Sequence, residues 1–269
     1  MSQLLARQSV IIFRIATEKD IHGIVSLFSQ EGNAYNWSEE RYKHFYQDYP
    51  LEGVVSFVAE FKDIIIGHYG ILPVVIGNYN ALFGVHAFIN QKYRNLKVIR
   101  GLLQSLDNWC KDHQIDFICA VPNPDFSLVK SKFFGWKEIF NLGFMTKECF
   151  SFSEYHNREL FINYSEDMLL WRFGKVQDVY ISKYFREGSW SYQVLYANDD
   201  VGLTYANRFG VAALQYWHPD AYFLERKKEF TQPFSIKIFN LEHEEFLANP
   251  NNWFIQMGDS DAFVYTPLD

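Results

Sequence analysis

Apolar residues recur with two different periods along the first 150 positions, and each change of period marks a new element. Val10 to Ile15 predicts a strand. Thr17 stands three residues before Asp20, a capping-box spacing, and Ile21, Ile24, Val25 and Phe28 then repeat at helical intervals. Gly32-Asn33 ends that helix, and Trp37 to Tyr49 predicts a second one, stopped by Pro50. Ser56 to Glu60 and Ile64 to Ile76 are β-rich, with Lys62-Asp63 between them at hairpin distance. Gly77-Asn78 is a turn signal, and Ala81 to Ile89 predicts a further strand. From Lys97 to His113, the residues Ile99, Leu102, Leu103, Leu106 and Cys110 form one stripe, the mark of a long amphipathic helix. Asp116 to Val121 predicts a strand closed by Pro122-Asn123-Pro124. Phe126 to Phe134 predicts a short helix ended by Gly135, and Trp136 to Thr146 a last strand.

This order, β-α-α-β-β-β-α-β-α-β, predicts an α/β (α+β) fold: a mixed, largely antiparallel sheet flanked by helices, with one parallel crossover. Beyond residue 150 the pattern is less regular. Glu166 to Phe173 and Glu242 to Leu247 predict helices, and Trp190 to Ala197, Gly202 to Phe209, Phe234 to Phe239 and Trp253 to Met257 predict strands. The polar stretch Ser151 to Arg158 sets the expected division into a unit 1–150 and a smaller unit 151–269.

Composition narrows the functional classes. The chain has 269 residues, 48% hydrophobic and 21% charged, which suffices for a full core. A net charge of −7, with Arg226-Lys227-Lys228 as the densest basic run, argues against general nucleic-acid binding. The aromatic share of 19% reads as a core filled with rings or as an aromatic-lined cleft. The three cysteines, Cys110, Cys119 and Cys149, form no Cys-x-x-Cys pair, which points to a reducing compartment. Met1 to Val10 lacks the apolar core of a signal peptide, and no apolar run reaches the ~20 residues of a membrane helix. A cytoplasmic protein, monomer or homodimer, is the expectation. His243-Glu244-Glu245 lacks a second histidine at helical spacing, so no metal is expected there. Asp259 and Asp261 read as a polar turn or as paired carboxylates for a metal or an amino sugar. No Gly-x-Ser-x-Gly elbow, Walker loop or Gly-x-Gly-x-x-Gly fingerprint occurs.

Three local motifs remain. Arg94-Asn95-Leu96-Lys97-Val98-Ile99 precedes Leu102-Leu103 at the head of the long helix. Cys119-Ala120-Val121-Pro122-Asn123 ends a strand, and Lys132-Phe133-Phe134-Gly135-Trp136 ends the short helix. With the element order, these resemble the GNAT (Gcn5-related N-acetyltransferase) superfamily. The family's loop is often Arg/Gln-x-x-Gly-x-Gly/Ala, and here the two glycine positions hold Lys97 and Ile99. Side chains there narrow the approach of a pyrophosphate to the backbone amides, whereas Lys97 adds a positive charge. Leu169 to Phe173 and Trp253 to Phe263 resemble segments of two-part GNAT-like proteins from bacterial surface-polysaccharide gene sets, which implies a second, smaller GNAT-like α+β module.

The resemblance implies an N-acyltransferase that moves an acetyl or other acyl group from acyl-CoA to an amine, such as an amino sugar or glycan precursor. It implies acyl-CoA contacts along Phe88, Ile89, Arg94, Lys97, Val98, Ile99 and Arg100, and across the cleft at Asn123, Ser127 and Ser131. Many family members carry a tyrosine at the position of Ser131, where it protonates the departing thiolate; serine is a poor acid for that task. His86, His68 and Glu60 are the candidate bases. Two alternatives stay open. One is a degenerate GNAT fold that binds without catalysing, and the other is a FemX-like aminoacyl transferase that uses charged tRNA.

Overall fold

The computed structural model describes residues 10–30, 37–142, 158–163, 165, 167, 168, 171, 232–253 and 255, and the backbone of four strands between 179 and 217. In chain order the strands are β1 (Ile12–Ile15), β2 (Val55–Phe61), β3 (Ile64–Ile76), β4 (Tyr79–Ile89), β5 (Phe117–Ala120), β6 (Lys137–Leu142), β7 (Val179–Arg186), β8 (Ser189–Tyr196), β9 (Gly202–Arg208), β10 (Val211–Trp217) and β11 (Gln232–Ile238). The helices are α1 (Ile21–Gln30), α2 (Glu39–Tyr46), α3 (Leu96–Asp112), α4 (Pro124–Phe134) and α5 (Glu244–Ala248).

Seven strands form one sheet in the order β1-β2-β3-β4-β5-β11-β6. β4 and β5 run parallel, and the other neighbours in it are antiparallel. The expected mixed, largely antiparallel sheet flanked by helices is therefore present. Strands β7 to β10 form a four-stranded antiparallel meander of their own.

Local chemistry sets the boundaries. Lys62 and Asp63 both have positive φ, 52° and 62°, as a tight two-residue hairpin between β2 and β3 requires. At the start of α1, an Asp20 carboxylate oxygen accepts from the Thr17 N–H at 2.7 Å, and the Arg14 guanidinium grips both oxygens at 2.7 Å. Asn123 caps α4 by accepting from the Phe126 N–H at 2.9 Å, and Gly135, at φ 70°, ends that helix.

The strands alternate between two cores, as their period of two dictates. Val58, Phe117 and Cys119 face the layer of α1 and α2, with Ile24, Phe28 and Phe45. Phe57, Ala59, Ile118 and Ala120 face α3, with Val98, Leu102 and Leu106.

The sheet crosses the division expected at residue 150. β11 lies between β5 and β6, pairing Ser235 with Ala120 on one side and Phe234 with Phe140 on the other. All four residues of β5 are buried, so its second edge has to be paired as well. Trp253, expected to open a strand, makes an isolated parallel bridge with Leu160. Most of the helix expected at Glu166 to Phe173, and residues 256–269 with Asp259 and Asp261, lie outside the described residues.

Candidate active site

The site begins where two parallel strands part. β4 and β5 pair from Ala81↔Phe117 to Gly84↔Ala120 and no further. β4 continues to Ile89, whereas the chain beyond β5 turns through Pro122 into α4. The β3–β4 register slips at the same level. His68 opposes Phe88 and Gly70 opposes Val85, which leaves Tyr69 facing both His86 and Ala87. Such a bulge bends its strand, here widening the fork. His86 takes φ 48°, a strained value for a non-glycine residue, of order 1–3 kcal/mol. Its surroundings hold it there. The Tyr46 hydroxyl lies 2.8 Å from His86 Nδ1, and His68 Nδ1 lies 2.8 Å from the His86 carbonyl.

Because a carbonyl only accepts, His68 carries its proton on Nδ1. Its Nε2 then accepts from Ser56 Oγ at 3.1 Å, which in turn accepts from the Tyr42 hydroxyl at 3.1 Å. Complete burial lowers the His68 pKa to about 3, so this chain is neutral at physiological pH.

Two clefts meet in the fork. The smaller, about 250 Å³, is lined by Val85, His86, Val121, Lys130 and Gln232. The larger, about 430 Å³, is lined by His68, Arg94, Ile99, Leu102 and Asp125. Tyr69, Ala87, Phe88, Asn123 and Phe126 line both. The Tyr69 hydroxyl rests on Gly84, where a Cβ would collide with it.

Lys130 is wholly buried beneath the smaller cleft. Its Nζ donates to Tyr69 Oη at 3.5 Å and sits 3.0 Å from the centroid of the Trp136 ring. Burial pushes this amine well below its ordinary pKa. Among the described residues no carboxylate pairs with it. Gln232 Oε1, on the same cleft, is buried without a hydrogen-bond partner among the described residues.

At the head of α3 the Asn95 side chain accepts from the Lys97 and Val98 N–H groups at 3.0 and 3.2 Å. The Ile99 N–H donates to the Asn95 carbonyl at 3.3 Å. The amides of the loop without glycines are thus occupied by their own cap, and the Ile99 side chain lines the larger cleft.

The fork gathers His86, His68, Phe88, Ile89, Arg94, Ile99 and Asn123 from the residues expected at the site. It does not gather the rest. Glu60, on β2 two strands from β4, is held by Arg14 at 2.6 Å. Val98 is in the core, and Lys97 and Arg100 are exposed away from both cleft linings. Ser127 is buried 3.0 Å from Ser235 Oγ, and exposed Ser131 donates back to the Leu128 carbonyl at 3.1 Å. Sequence reasoning missed Tyr69, Phe126, Lys130 and Gln232. Tyr69 and Phe126 sit in ordinary apolar patterns, Lys130 looks like a solvated helix residue, and Gln232 lies past the expected division.

Comparison with solved structures fits this topology. A protein of unknown function from Enterococcus faecalis, described as a probable N-acyltransferase, superposes on 87% of this chain and 74% of its own, with a TM-score of 0.52 and 10% identity. This chain has a GNAT-type fold. Looser likenesses within the GNAT group cover about half of it. A GNAT-family acetyltransferase from Staphylococcus aureus covers 49% of this chain and 87% of its own (TM-score 0.38, 22% identity). A predicted acetyltransferase with acetyl-CoA from Clostridium acetobutylicum covers 46% and 89% (TM-score 0.40, 20% identity). No protein-family model matches the chain, and no curated protein sequence does. Among the described residues of the GNAT-type fold, no His, Cys, Asp and Glu cluster could hold a metal, and no helix is long and apolar enough to cross a membrane.

Proposed function

We propose that the chain is an N-acyltransferase that moves an acyl group from acyl-CoA to an amine within the β4–β5 fork. The observation that carries this is the pair of contiguous clefts meeting at Tyr69, Phe88 and Asn123. Two substrates held in adjoining clefts can meet at their shared lining, which supplies the proximity a direct transfer needs. The larger cleft takes the acyl donor, with Arg94 at its rim, and the smaller takes the amine.

In the transfer, the amine nitrogen attacks the thioester carbon, the C–N bond forms and the C–S bond breaks. The nitrogen gives up one proton and the departing thiolate takes one. His86, oriented by Tyr46, is the group assigned to accept the first, and the Tyr69 hydroxyl is assigned to supply the second. Solvent then returns the proton from His86 to Tyr69. His68 is a positioning residue, holding the strained His86 carbonyl.

Calorimetric titration of the full chain with acetyl-CoA, followed by thiol release in an amine panel, tests the reading. Tyr69→Phe is expected to lower turnover by about 100-fold or more, whereas Ser131→Ala leaves it unchanged. No binding heat at millimolar acetyl-CoA from a folded sample would refute it. The Asn95 cap favours one rival, a GNAT-type binding protein without catalysis, because the capped amides are withdrawn from phosphate. Turnover of any amine with acetyl-CoA, lost in Tyr69→Phe, excludes that rival.

A further inference from the structure

Two buried groups in the smaller cleft lack the partners their chemistry demands. The first is Lys130. A charged lysine amine is costly to remove from water unless it meets an anion, and otherwise it sheds its proton. Its neighbours are the rings of Tyr69, Phe126 and Trp136, with a hydroxyl as its sole hydrogen-bonding partner among the described residues. The titratable groups that act on it are Cys119 of β5 and Lys237 of β11, and neither supplies a carboxylate. The second is Gln232 Oε1, an acceptor closed off from water with no N–H or O–H of the described residues aimed at it. Buried acceptors are rarely left without a donor.

The two deficits have opposite character. Lys130, by taking up a proton, can hold an anion, and Gln232 Oε1 takes a hydrogen-bond donor. Both groups line one cleft of about 250 Å³, below the roughly 300–1,000 Å³ of pockets for drug-sized ligands. A small molecule with a carboxylate and an amine carries the complement of each group. We propose that the smaller cleft is the acceptor site for an α-amino acid head group, its carboxylate bound at Lys130 and its amino group at the Gln232 carbonyl. This rests on the acyltransferase reading for the fate of the amine, but not for the binding itself. It sets the acceptor apart from a simple amino sugar, which has an amine but no carboxylate to offer Lys130.

The test uses the full chain and pools of the common amino acids, each beside its carboxamide, with glucosamine as the control that has an amine but no carboxylate. Binding is read by thermal shift and ligand-observed NMR. At least one amino acid is expected to bind, with its amide and glucosamine at least about tenfold weaker. Lys130→Met and Gln232→Leu are each expected to weaken amino-acid binding by at least about tenfold, while the heat of acetyl-CoA binding persists. Calorimetry in two buffers of different ionisation heat adds an independent readout: carboxylate binding at Lys130 draws in a proton. The proposal falls if no amino acid binds the folded protein, if acid and amide bind alike, or if Lys130→Met binds like the parent. Should Lys130→Met fail to fold, the Gln232→Leu result and the acid-to-amide ratio decide. Amino-acid binding without acetyl-CoA binding keeps the site and removes the acyltransferase reading, and the reverse result removes the site alone.

Discussion

Replacing Lys130 by methionine tests the strangest group in the fold through stability rather than activity. The side chain is wholly buried, and burial lowers its pKa well below the ordinary value near 10.5. The unfolded chain keeps the proton up to that ordinary value, and the folded chain has released it. Between the two pKa values the unfolded state therefore binds one more proton. Wild-type stability must rise with pH across that window by about 1.4 kcal/mol per pH unit, and be lost at the same rate as pH falls. Methionine has no proton to release. The stability difference between Lys130→Met and wild type, variant over parent, should shrink by about 1.4 kcal/mol for each unit of rising pH. The Cys110 thiol, pushed up to about 12 by burial, is common to both proteins and cancels in the difference. Urea unfolding of both proteins at a series of pH values descending from just below 10.5, with equal m-values, gives the slope. Parallel stability curves would refute the reasoning. They would mean that Lys130 keeps its proton when folded, and so already has an anion beside it.

Three further perturbations bear on the fork. Gly84→Ala drives a methyl group into the Tyr69 hydroxyl, so it should cost about 1–3 kcal/mol in urea unfolding and depress acyl transfer by displacing that hydroxyl. Asn95→Ala removes a cap worth about 1 kcal/mol, yet frees the Lys97 and Val98 amides; acetyl-CoA should bind more tightly by calorimetry, and weaker binding would mean that Asn95 itself contacts the ligand. His68→Asn removes an imidazole whose folded pKa is about 3, against 6.5 in the unfolded chain. The unfolded state binds the extra proton between those values, so wild type should lose about 1.4 kcal/mol per unit relative to the variant as pH falls through that window. Urea unfolding at a series of acidic pH values checks it.

The fold of the first half was legible because its signals are local. The capping-box spacing at Thr17 and Asp20, the Lys62-Asp63 turn, Gly135 and the stripe from Leu102 to Cys110 each announce an element without help from distant residues. The fork was legible only through resemblance, since parallel pairing of Ala81 with Phe117 leaves no trace in spacing. The position of β11 was not legible at all. Nothing in Phe234 to Ile238 says which edge it will fill, and that choice is made by β5, which is apolar on both faces. Among site residues, His86 and Asn123 were accessible as polar exceptions in or beside strands. Lys130 was hidden because lysine on a short helix normally points to water, and only tertiary contact with Tyr69 and Trp136 shows otherwise. Glu60 was a misleading exception, since its partner Arg14 lies forty-six residues away in sequence.

The interleaving of β11 also dictates when the protein can fold. On a ribosome, β5 and β6 emerge long before the strand that belongs between them. Until residues 232–238 have left the exit tunnel, β5 has one edge without a neighbour and two apolar faces, the kind of surface that pairs with other chains. The nascent chain thus has a vulnerable interval that covers everything between β6 and β11, the four-stranded meander included, and any fragment cut before β11 carries the same exposed edge permanently. A shortened form of this protein has to keep β11, even when only the fork is wanted.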